Sequence, residues 1–468
     1  MIRIAHLLTL AVSITFALAA TAAARPLELT DWLDWERAGN PQISPDGDEI
    51  VYTRQRIDKM KDRWSSELWI MTAEGERHRF LAEGGDVRWS PSGDRIAFID
   101  TPEDAEKAGI FVRWMDADGA TSQVAHDLDG PSRLAWSPDG EMLAVRARVK
   151  MTPEWTIDLP GKPEGAKWTE DATLIDRLHY RMDGVGPKEW FNHVFLVPAD
   201  GGTPRQLTEG DWDVGARAVG AIDAGGRLQF TPDGRHILFD GLRTEDEAEP
   251  DPFVSHLYDV ATEDGAIRQI TSEPGFWHTP VPSPDGDLIA YTGNAPAETN
   301  YKTQQLRVIG LDGSNPRVLV EALPAGASDI TWAADGEGLY YTVDFQGDHN
   351  VHYVSLDGAH RPVTQGDHQL SLDSVSRNGI AAGVFTDADT TRNVVRYDLT
   401  SGGDLRQLTE LNADILADVE LGAVEEFETT SSDTTTVQGW IIDPPDYDPA
   451  KTYPLLLAIH GGPHAMYG

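Results

Sequence analysis

The hydrophobic and polar positions of this 468-residue chain form short β-type runs that are separated by one recurring turn. The turn is Ser-Pro-Asp-Gly or a close variant, in which proline sets φ and the Asp-Gly pair tolerates the positive φ that follows. Runs of aromatic and β-branched residues follow the turns, and they are typical of half-buried strands. Clear copies of the turn start at Ser44, Ser90, Ser137, Thr231 and Ser283, and degenerate copies lie at 333–336 and 375–379.

A second hairpin follows the first in most units, so each unit is predicted to hold four strands. Clear second hairpins start at Leu68, Val194, Leu306 and Val351. Most intervals between first turns are about 50 residues, which is the period of four-stranded propeller blades. The pattern therefore predicts an all-β, seven-bladed propeller over residues 25–412.

One interval between turns, residues 137–231, is about twice as long as the others and leaves room for an eighth blade. Residues 151–192 lack a first-hairpin turn and carry prolines and charges, and only one second hairpin falls in the interval. We therefore interpret this stretch as an insertion within one blade.

The repeat stops after residue 412, and residues 413–468 form a separate region. An acidic and then Ser/Thr-rich stretch, 413–436, suits a linker between domains. A strand is predicted over 437–442 and a loop over 443–449. The continuously apolar run 455–459 is typical of a strand buried on both faces of an α/β sheet.

The motifs Gln438-Gly439-Trp440, Tyr453-Pro454-Leu455-Leu456-Leu457 and His460-Gly461-Gly462-Pro463-His464 follow the predicted propeller. This combination resembles the start of the catalytic domain in the prolyl oligopeptidase family of serine peptidases. Acylaminoacyl-peptidases and dipeptidyl-peptidases are the most similar members. The resemblance implies an all-β seven-bladed propeller followed by the first strands of a truncated α/β-hydrolase domain.

The glycine pair Gly461-Gly462 is the candidate catalytic element. A turn without side chains lets backbone N–H groups point at the oxygen that becomes negative in acyl transfer, and one such donor lowers the barrier by about 3 kcal/mol. By resemblance, the Gly462 N–H is one oxyanion donor, Gly461 allows the turn, and His460 braces the loop. A plain strand-terminating turn is the alternative interpretation.

The sequence contains no G-x-S-x-G nucleophile motif. The resemblance implies that the Ser, Asp and His of the triad follow the glycine loop and thus lie beyond residue 468. We therefore expect a serine exopeptidase that hydrolyses short peptides, present here as a fragment without its triad and inactive by itself.

The insertion supplies weaker candidates for substrate contact, namely Arg181, Glu189 and Trp190, although packing is the more ordinary role for such residues. The histidines at 349, 352, 360 and 368 share one predicted blade but lack a tight ligand spacing, so neither a metal nor another cofactor is expected.

The composition and the N-terminal segment restrict the binding partners and the cellular location that we expect. The 38 Lys and Arg against 77 Asp and Glu give a net charge of −39, which disfavours nucleic acid and anionic membranes as partners. Residues 1–24 have the layout of a signal peptide, so we expect a periplasmic or secreted protein with no membrane attachment after cleavage. The chain has no cysteine.

A non-catalytic periplasmic propeller that binds a protein partner is the alternative function. The oligomeric state stays open.

Overall fold

The computed structural model describes residues 25–116, 119–151, 161–169, 181–182, 186–215, 226–243, 254–296, 302–321, 326–401, 404–461 and 466–467. The predicted signal peptide, residues 1–24, lies outside them. The fold divides into two compact units, Leu33–Leu411 with Tyr453–Gly468, and Met1–Trp32 with Asn412–Thr452. Among the described residues, no helix is long and apolar enough to cross a membrane.

The larger unit is a succession of antiparallel sheets built from consecutive strands. Sheet A holds β1 (Glu36–Ile43), β2 (Glu49–Asp58), β3 (Arg63–Thr72) and β4 (Arg79–Glu83), and sheet B holds β5 (Gly85–Trp89), β6 (Arg95–Asp100), β7 (Gly109–Trp114) and β8 (Thr121–Ala125). Sheet C holds β9 (Asp129–Trp136), β10 (Met142–Lys150), β13 (Trp190–Pro198) and β14 (Arg205–Gln206). The short pair β11 (Arg181–Met182) and β12 (Gly186–Pro187) lies between β10 and β13 in the sequence.

The later sheets repeat this plan. Sheet D holds β15 (Asp213–Val214), β16 (Gln229–Phe230), β17 (His236–Leu242), β18 (His256–Ala261) and β19 (Ile267–Gln269), and sheet E holds β20 (Phe276–Pro282), β21 (Leu288–Asn294), β22 (Gln305–Gly310) and β23 (Arg317–Val320). The last sheet has a first half, F1, with β24 (Ala327–Trp332), β25 (Gly338–Phe345), β26 (Asp348–Ser355) and β27 (His360–Pro362). Its second half, F2, has β28 (Gln369–Leu370), β29 (Ser374–Val375), β30 (Ile380–Thr386), β31 (Asn393–Asp398) and β32 (Arg406–Gln407). One parallel bridge, His349 to Gln369, joins the two halves.

The strand predictions made from the turn pattern are confirmed where they fall on described residues. The runs after the turns lie in β2, β6, β17, β21 and β25, and the second hairpins begin in β3, β13, β22 and β26. Residues 151–189 connect two strands that pair directly, since Lys150 lies opposite Trp190. These residues therefore form an insertion between two paired strands of sheet C.

In five of the seven copies of the recurring turn, a buried hydroxyl at the first position bonds to the side chain two residues later. The Ser44 hydroxyl donates to Asp46 Oδ1 at 2.5 Å and accepts the N–H groups of Asp48 and Glu49. Its hydrogen bond lowers the pKa of the Asp46 carboxyl. Gly47 has φ +88°, a conformation that glycine adopts without the penalty a side chain would bring. The same hydroxyl-to-side-chain bond occurs at Ser137, Thr231, Ser283 and Ser376.

Neighbouring sheets are linked by a second repeated contact. An arginine near or at the start of the outer strand donates to a backbone carbonyl at the turn between the third and fourth strands of the next sheet. The pairs are Arg205 with Thr262, Arg268 with Leu311, Arg317 with Leu356 and Arg406 with Glu74. The last pair joins F2 to sheet A. The last sheet of the chain is therefore linked to the first by the same kind of hydrogen bond that links consecutive sheets.

The hydrophobic core also continues from the last sheet to the first. One cluster contains Ala38, Ile50 and Met71 of sheet A together with Val394 and Leu408 of F2. Met71 is only 1% exposed. F2 and sheet A therefore share one buried hydrophobic core.

The smaller unit holds a 3₁₀-helical turn that begins within it (Asp31–Asp34), a one-turn helix (Ala413–Leu416) and the hairpin of β33 (Val424–Thr430) and β34 (Thr436–Ile442). The predicted strand over 437–442 is thus observed. The predicted buried strand over 455–459 is not, because these residues form no strand and are exposed, with Leu456 at 95%. A strand buried on both faces needs neighbours on both sides, and no described strand pairs with this segment.

Candidate functional site

The glycine loop is only partly within the described residues. Gly461 lies in an irregular exposed segment, and a side chain added there would meet no atom within 4 Å. The His460 ring stacks on Tyr467 with centroids 4.9 Å apart. Gly462, the predicted oxyanion donor, lies outside the described residues, so its role stays a prediction.

The predicted substrate residues all lie in the C-terminal part of the insertion. Arg181 is in β11, opposite Pro187, and its side chain is outside the described part. Glu189 is exposed, and its carbonyl accepts the Met151 N–H at 2.9 Å, which closes the base of the insertion. The Trp190 ring carries the Arg148 guanidinium at 4.5 Å from its centroid. Substrate contact by these residues is not tested by this geometry.

A buried ion pair at the same place was missed from the sequence. Lys188, 4% exposed, pairs with Asp213 of sheet D, whose side chain is 9% exposed. The other Asp213 oxygen accepts the backbone and side-chain N–H groups of Asn192 at 3.0 and 3.1 Å. The ion pair thus fixes the end of the insertion to sheet D. No motif in the sequence indicates that these two residues pair.

A set of charged and polar side chains lies in or next to the inner strands, and we call it the central collar. Its members are Asn40, Asp86, Arg88, Arg133, Arg227, Asp329 and Asp373, from sheets A, B, C, D, F1 and F2. Most lie four residues before a recurring turn, where Asn40, Asp86, Arg133 and Asp329 adopt positive φ. Bulges accompany this conformation in β1, β5 and β24, where the register shifts.

Electrostatic interactions act between some collar residues whose sheets are not neighbours. Burial lowers the pKa of Arg88 to about 10, and the charges of Arg227 and Arg133 act in the same direction. Burial raises the pKa of Asp373 to about 6, while Ser371 and the cations Arg227 and Arg88 oppose that rise. Burial thus disfavours the charged form of both Arg88 and Asp373, while charges from other sheets act on each of them.

Hydrogen bonds tie part of the collar to neighbouring sheets. Arg88 binds Asp86 at 2.9 Å and Asn40 Oδ1 at 3.1 Å. The other Asp86 oxygen accepts the Leu134 N–H of sheet C at 3.0 Å. A sequence signal for the collar exists, because polar residues recur four positions before the turn, but only a superposition of the repeats reveals it.

The histidines of 349–368 are dispersed. His352 stacks on Tyr341, and the His349 ring nitrogen is 3.8 Å from Asp344. Among the described residues, no group of His, Asp and Glu side chains is arranged to hold a metal ion.

The fold and the turn chemistry define a β-propeller type of protein, and comparisons with known proteins agree. Residues 168–298 match the family model of the dipeptidyl peptidase IV N-terminal region. The uncharacterized peptidase YuxL of Bacillus subtilis is 27% identical over 460 residues, covering 92% of this chain and 65% of that protein. Dipeptidyl-peptidase 5 of Porphyromonas gingivalis is 24% identical, covering 91% of this chain and 62% of that protein.

Solved structures show the same fold. Acylaminoacyl peptidase of Pyrococcus horikoshii superposes with a TM-score of 0.73 at 16% identity, covering 93% of this chain and 62% of that one. The β-propeller domain of the Trilobed protease from Pyrococcus furiosus gives 0.56 at 14% identity, covering 81% of this chain and 99% of that domain. These similarities support a serine peptidase of the prolyl oligopeptidase family. It spans less than two thirds of the length of the two curated relatives.

Proposed function

We propose that this chain is the propeller part of a serine exopeptidase that hydrolyses short peptides, of the acylaminoacyl- or dipeptidyl-peptidase type. The curated relatives are named as peptidases, and their similarity extends over most of this chain. The propeller would act as a size filter, and seven blades result when F1 and F2 count as one blade each.

The observation that carries the proposal is the exposed apolar hairpin followed by the glycine loop. Trp440 is 38% and Ile442 is 71% exposed in β34, although such side chains are normally buried. A two-stranded hairpin is only marginally stable by itself, so further strands are expected to cover it. In this proposal β33, β34 and residues 455–461 are the first elements of an α/β-hydrolase domain, and the Gly462 N–H helps to bind the oxyanion.

Topology supports a role for the insertion in substrate contact. The insertion leaves sheet C at the end of β10 and returns at the start of β13. In an antiparallel plan, this edge also carries the entry into β1 and the exit from β32. Arg181, Glu189 and Trp190 are therefore proposed to face the side on which the chain enters and leaves the larger unit.

The chain by itself is proposed to be inactive, because its 468 residues contain no nucleophile motif. Export to the periplasm or the medium, directed by residues 1–24, completes the proposal. N-terminal sequencing of the protein recovered from the native cell tests the cleavage.

A fluorophosphonate probe, which labels activated serines, tests the function in the natural gene product. We expect one labelled species that is larger than this chain and that cleaves either acetyl-alanyl or dipeptidyl chromogenic substrates. The 468-residue chain should take no label. A natural product of 468 residues without label would instead favour the non-catalytic propeller that binds a protein partner.

A further inference from the structure

A threonine that follows the fourth strand is hydrogen-bonded to the third strand in sheets C, D, F1 and F2. Its hydroxyl oxygen accepts the N–H group of a third-strand residue at 2.9 to 3.1 Å. The fourth strands contain only two or three residues, so this bond, which we call the threonine clamp, helps to fasten the outer edge of the sheet. The clamps join Thr208 to Val194, Thr271 to Leu257, Thr364 to Val351 and Thr409 to Val394.

In F1 and F2 an asparagine accepts the proton of the threonine hydroxyl. The Thr364 hydroxyl donates to Asn350 Oδ1 at 3.1 Å, and Asn350 Nδ2 donates to the Gly366 carbonyl at 3.0 Å. The Thr409 hydroxyl donates to Asn393 Oδ1 at 2.9 Å. A carboxamide does not titrate in the physiological pH range, so these two clamps keep the same hydrogen bonds at every pH within it.

In sheet C a histidine makes the same two contacts as Asn350. His193 Nε2 lies 3.0 Å from the Gly210 carbonyl oxygen, which can only accept, so Nε2 carries a proton. Nδ1 of the neutral ring then accepts the Thr208 hydroxyl at 3.0 Å. Protonation of the ring turns Nδ1 into a donor, so the hydroxyl loses its acceptor and the clamp is weakened.

The surroundings of His193 favour the neutral ring. The side chain is 1% exposed, the residue opposite it on β10 is Ala147, and the Trp212 ring stands edge-on with its centroid 5.6 Å away. Burial lowers the pKa of His193 below its ordinary value, and the Lys188 charge acts in the same direction. The groups that oppose this shift are the Gly210 carbonyl and the charges of Asp213 and Glu209.

We propose that His193 is an acid-sensitive latch between sheets C and D, and that protonation of its ring opens the clamp with Thr208. The segment that follows Thr208 leads directly into sheet D, where Asp213 binds Lys188. Opening of the clamp in acid therefore loosens the connection between these two sheets, while F1 and F2 stay fastened. The latch does not depend on catalysis or on export, so it stands apart from the proposed function.

The sign of the pH effect follows from the two states of the ring. In the opened clamp the ring is in water with a pKa of about 6.5, whereas the closed clamp holds it neutral to a lower pH. The opened form therefore binds more protons, and the opening constant rises as the pH falls below about 6.5. The rise is up to about tenfold per pH unit until the closed form is protonated as well.

Hydrogen exchange of the 468-residue chain, read by mass spectrometry on short overlapping peptides, tests the latch. The Val194 amide reports on the clamp of sheet C, and the Val351 amide is the matched reporter in F1. After correction for the intrinsic pH dependence of exchange, opening at Val194 should increase by up to about tenfold from pH 7.5 to pH 5.5. Opening at Val351 should not increase, and equal responses of the two amides would overturn the proposal.

A pair of exchanged side chains gives a second test. His193→Asn supplies sheet C with the carboxamide that F1 uses, so the acid response at Val194 should disappear while the clamp is kept. Asn350→His should create an acid response at Val351. An acid response at Val194 that persists in His193→Asn would contradict the assignment. If either variant fails to fold, the comparison of the two amides in the unaltered chain still decides.

Discussion

Gly313 is where the docking of one sheet on the next can be tested most directly. Its φ is +87°, and a Cβ built on it would lie 2.7 Å from the Ile270 carbonyl oxygen of sheet D. The neighbouring Leu311 carbonyl accepts the Arg268 guanidinium at 3.0 Å. Gly358 occupies the equivalent turn of F1 with φ +90°, but a Cβ there would meet nothing within 4 Å. Gly313→Ala and Gly358→Ala are therefore matched in backbone conformation and differ in contact.

Both substitutions place alanine in the left-handed region, which costs about 1–2 kcal/mol. Only Gly313→Ala also forces a carbon against a backbone oxygen, so sheets D and E must separate locally. Such a shift weakens the hydrogen bond between Arg268 and Leu311, and bonds of this charged type contribute about 1.5–3 kcal/mol. We expect Gly313→Ala to lose roughly 1–3 kcal/mol more free energy of unfolding than Gly358→Ala.

Urea unfolding followed by tryptophan fluorescence measures this difference, with the m-value reporting any loss of cooperativity. Thermal unfolding is a second probe. Equal destabilisation by the two substitutions would refute the reasoning, because it would leave backbone strain as the whole effect and remove the role of the sheet contact.

Three further predictions concern charge and catalysis. The pKa of Asp373 is raised to about 6, so its contribution to stability is full below the unfolded pKa near 3.8 and is lost as the pH rises through about 6. Asp373→Asn should therefore gain stability relative to the wild type as the pH rises from 4 to 7, as measured by urea midpoints across that range. Lys188→Met and Asp213→Asn should each cost about 3–5 kcal/mol, because each removes the opposite charge from a buried ion. The double variant should lose less than the sum, and strict additivity in the double-mutant cycle would contradict the pairing. If the natural gene product is the peptidase that we propose, Gly462→Pro, which removes the N–H, should lower its kcat by about 100-fold or more with little change in KM. An unchanged kcat would remove Gly462 from the oxyanion site, and Gly461→Ala is the comparison that keeps every N–H.

Local chemistry explains how much of the fold the sequence could predict. The turn at Ser44 is specified within six residues, since the hydroxyl, Asp46 and Gly47 all act on their own backbone. The following strands are then paired by short connections, and four-stranded sheets result. The count of strands per unit is less exact in sheet D, where β15 and β16 both pair with β17 in place of a single inner strand.

The collar could not be predicted in the same way because its chemistry arises between sheets. Nothing in the neighbourhood of Arg227 in the sequence indicates Arg88 or Asp373, yet each alters the charge balance of the others once the sheets are arranged. The pair of Lys188 with Asp213 has the same origin, since one residue ends an insertion and the other begins a new sheet. Contacts of this kind depend on the arrangement of whole sheets, which a single turn motif does not encode.

In the apolar run before the glycine loop, the sequence indicates a strand, but it does not tell whether the strand has neighbours to pair with. Leu455, Leu456 and Ile459 have the composition of a strand, and their predicted burial assumed that a sheet surrounds them. A strand gains its stability from hydrogen bonds to neighbours and from burial, and neither is present around this segment among the described residues. Exposure of about 80% or more at each of these side chains is therefore consistent with their high β-propensity, because no described strand pairs with them. If the natural gene product carries the catalytic domain that we propose, further strands beside β34 and this segment should protect the same residues from hydrogen exchange, and rapid exchange there would contradict the proposal.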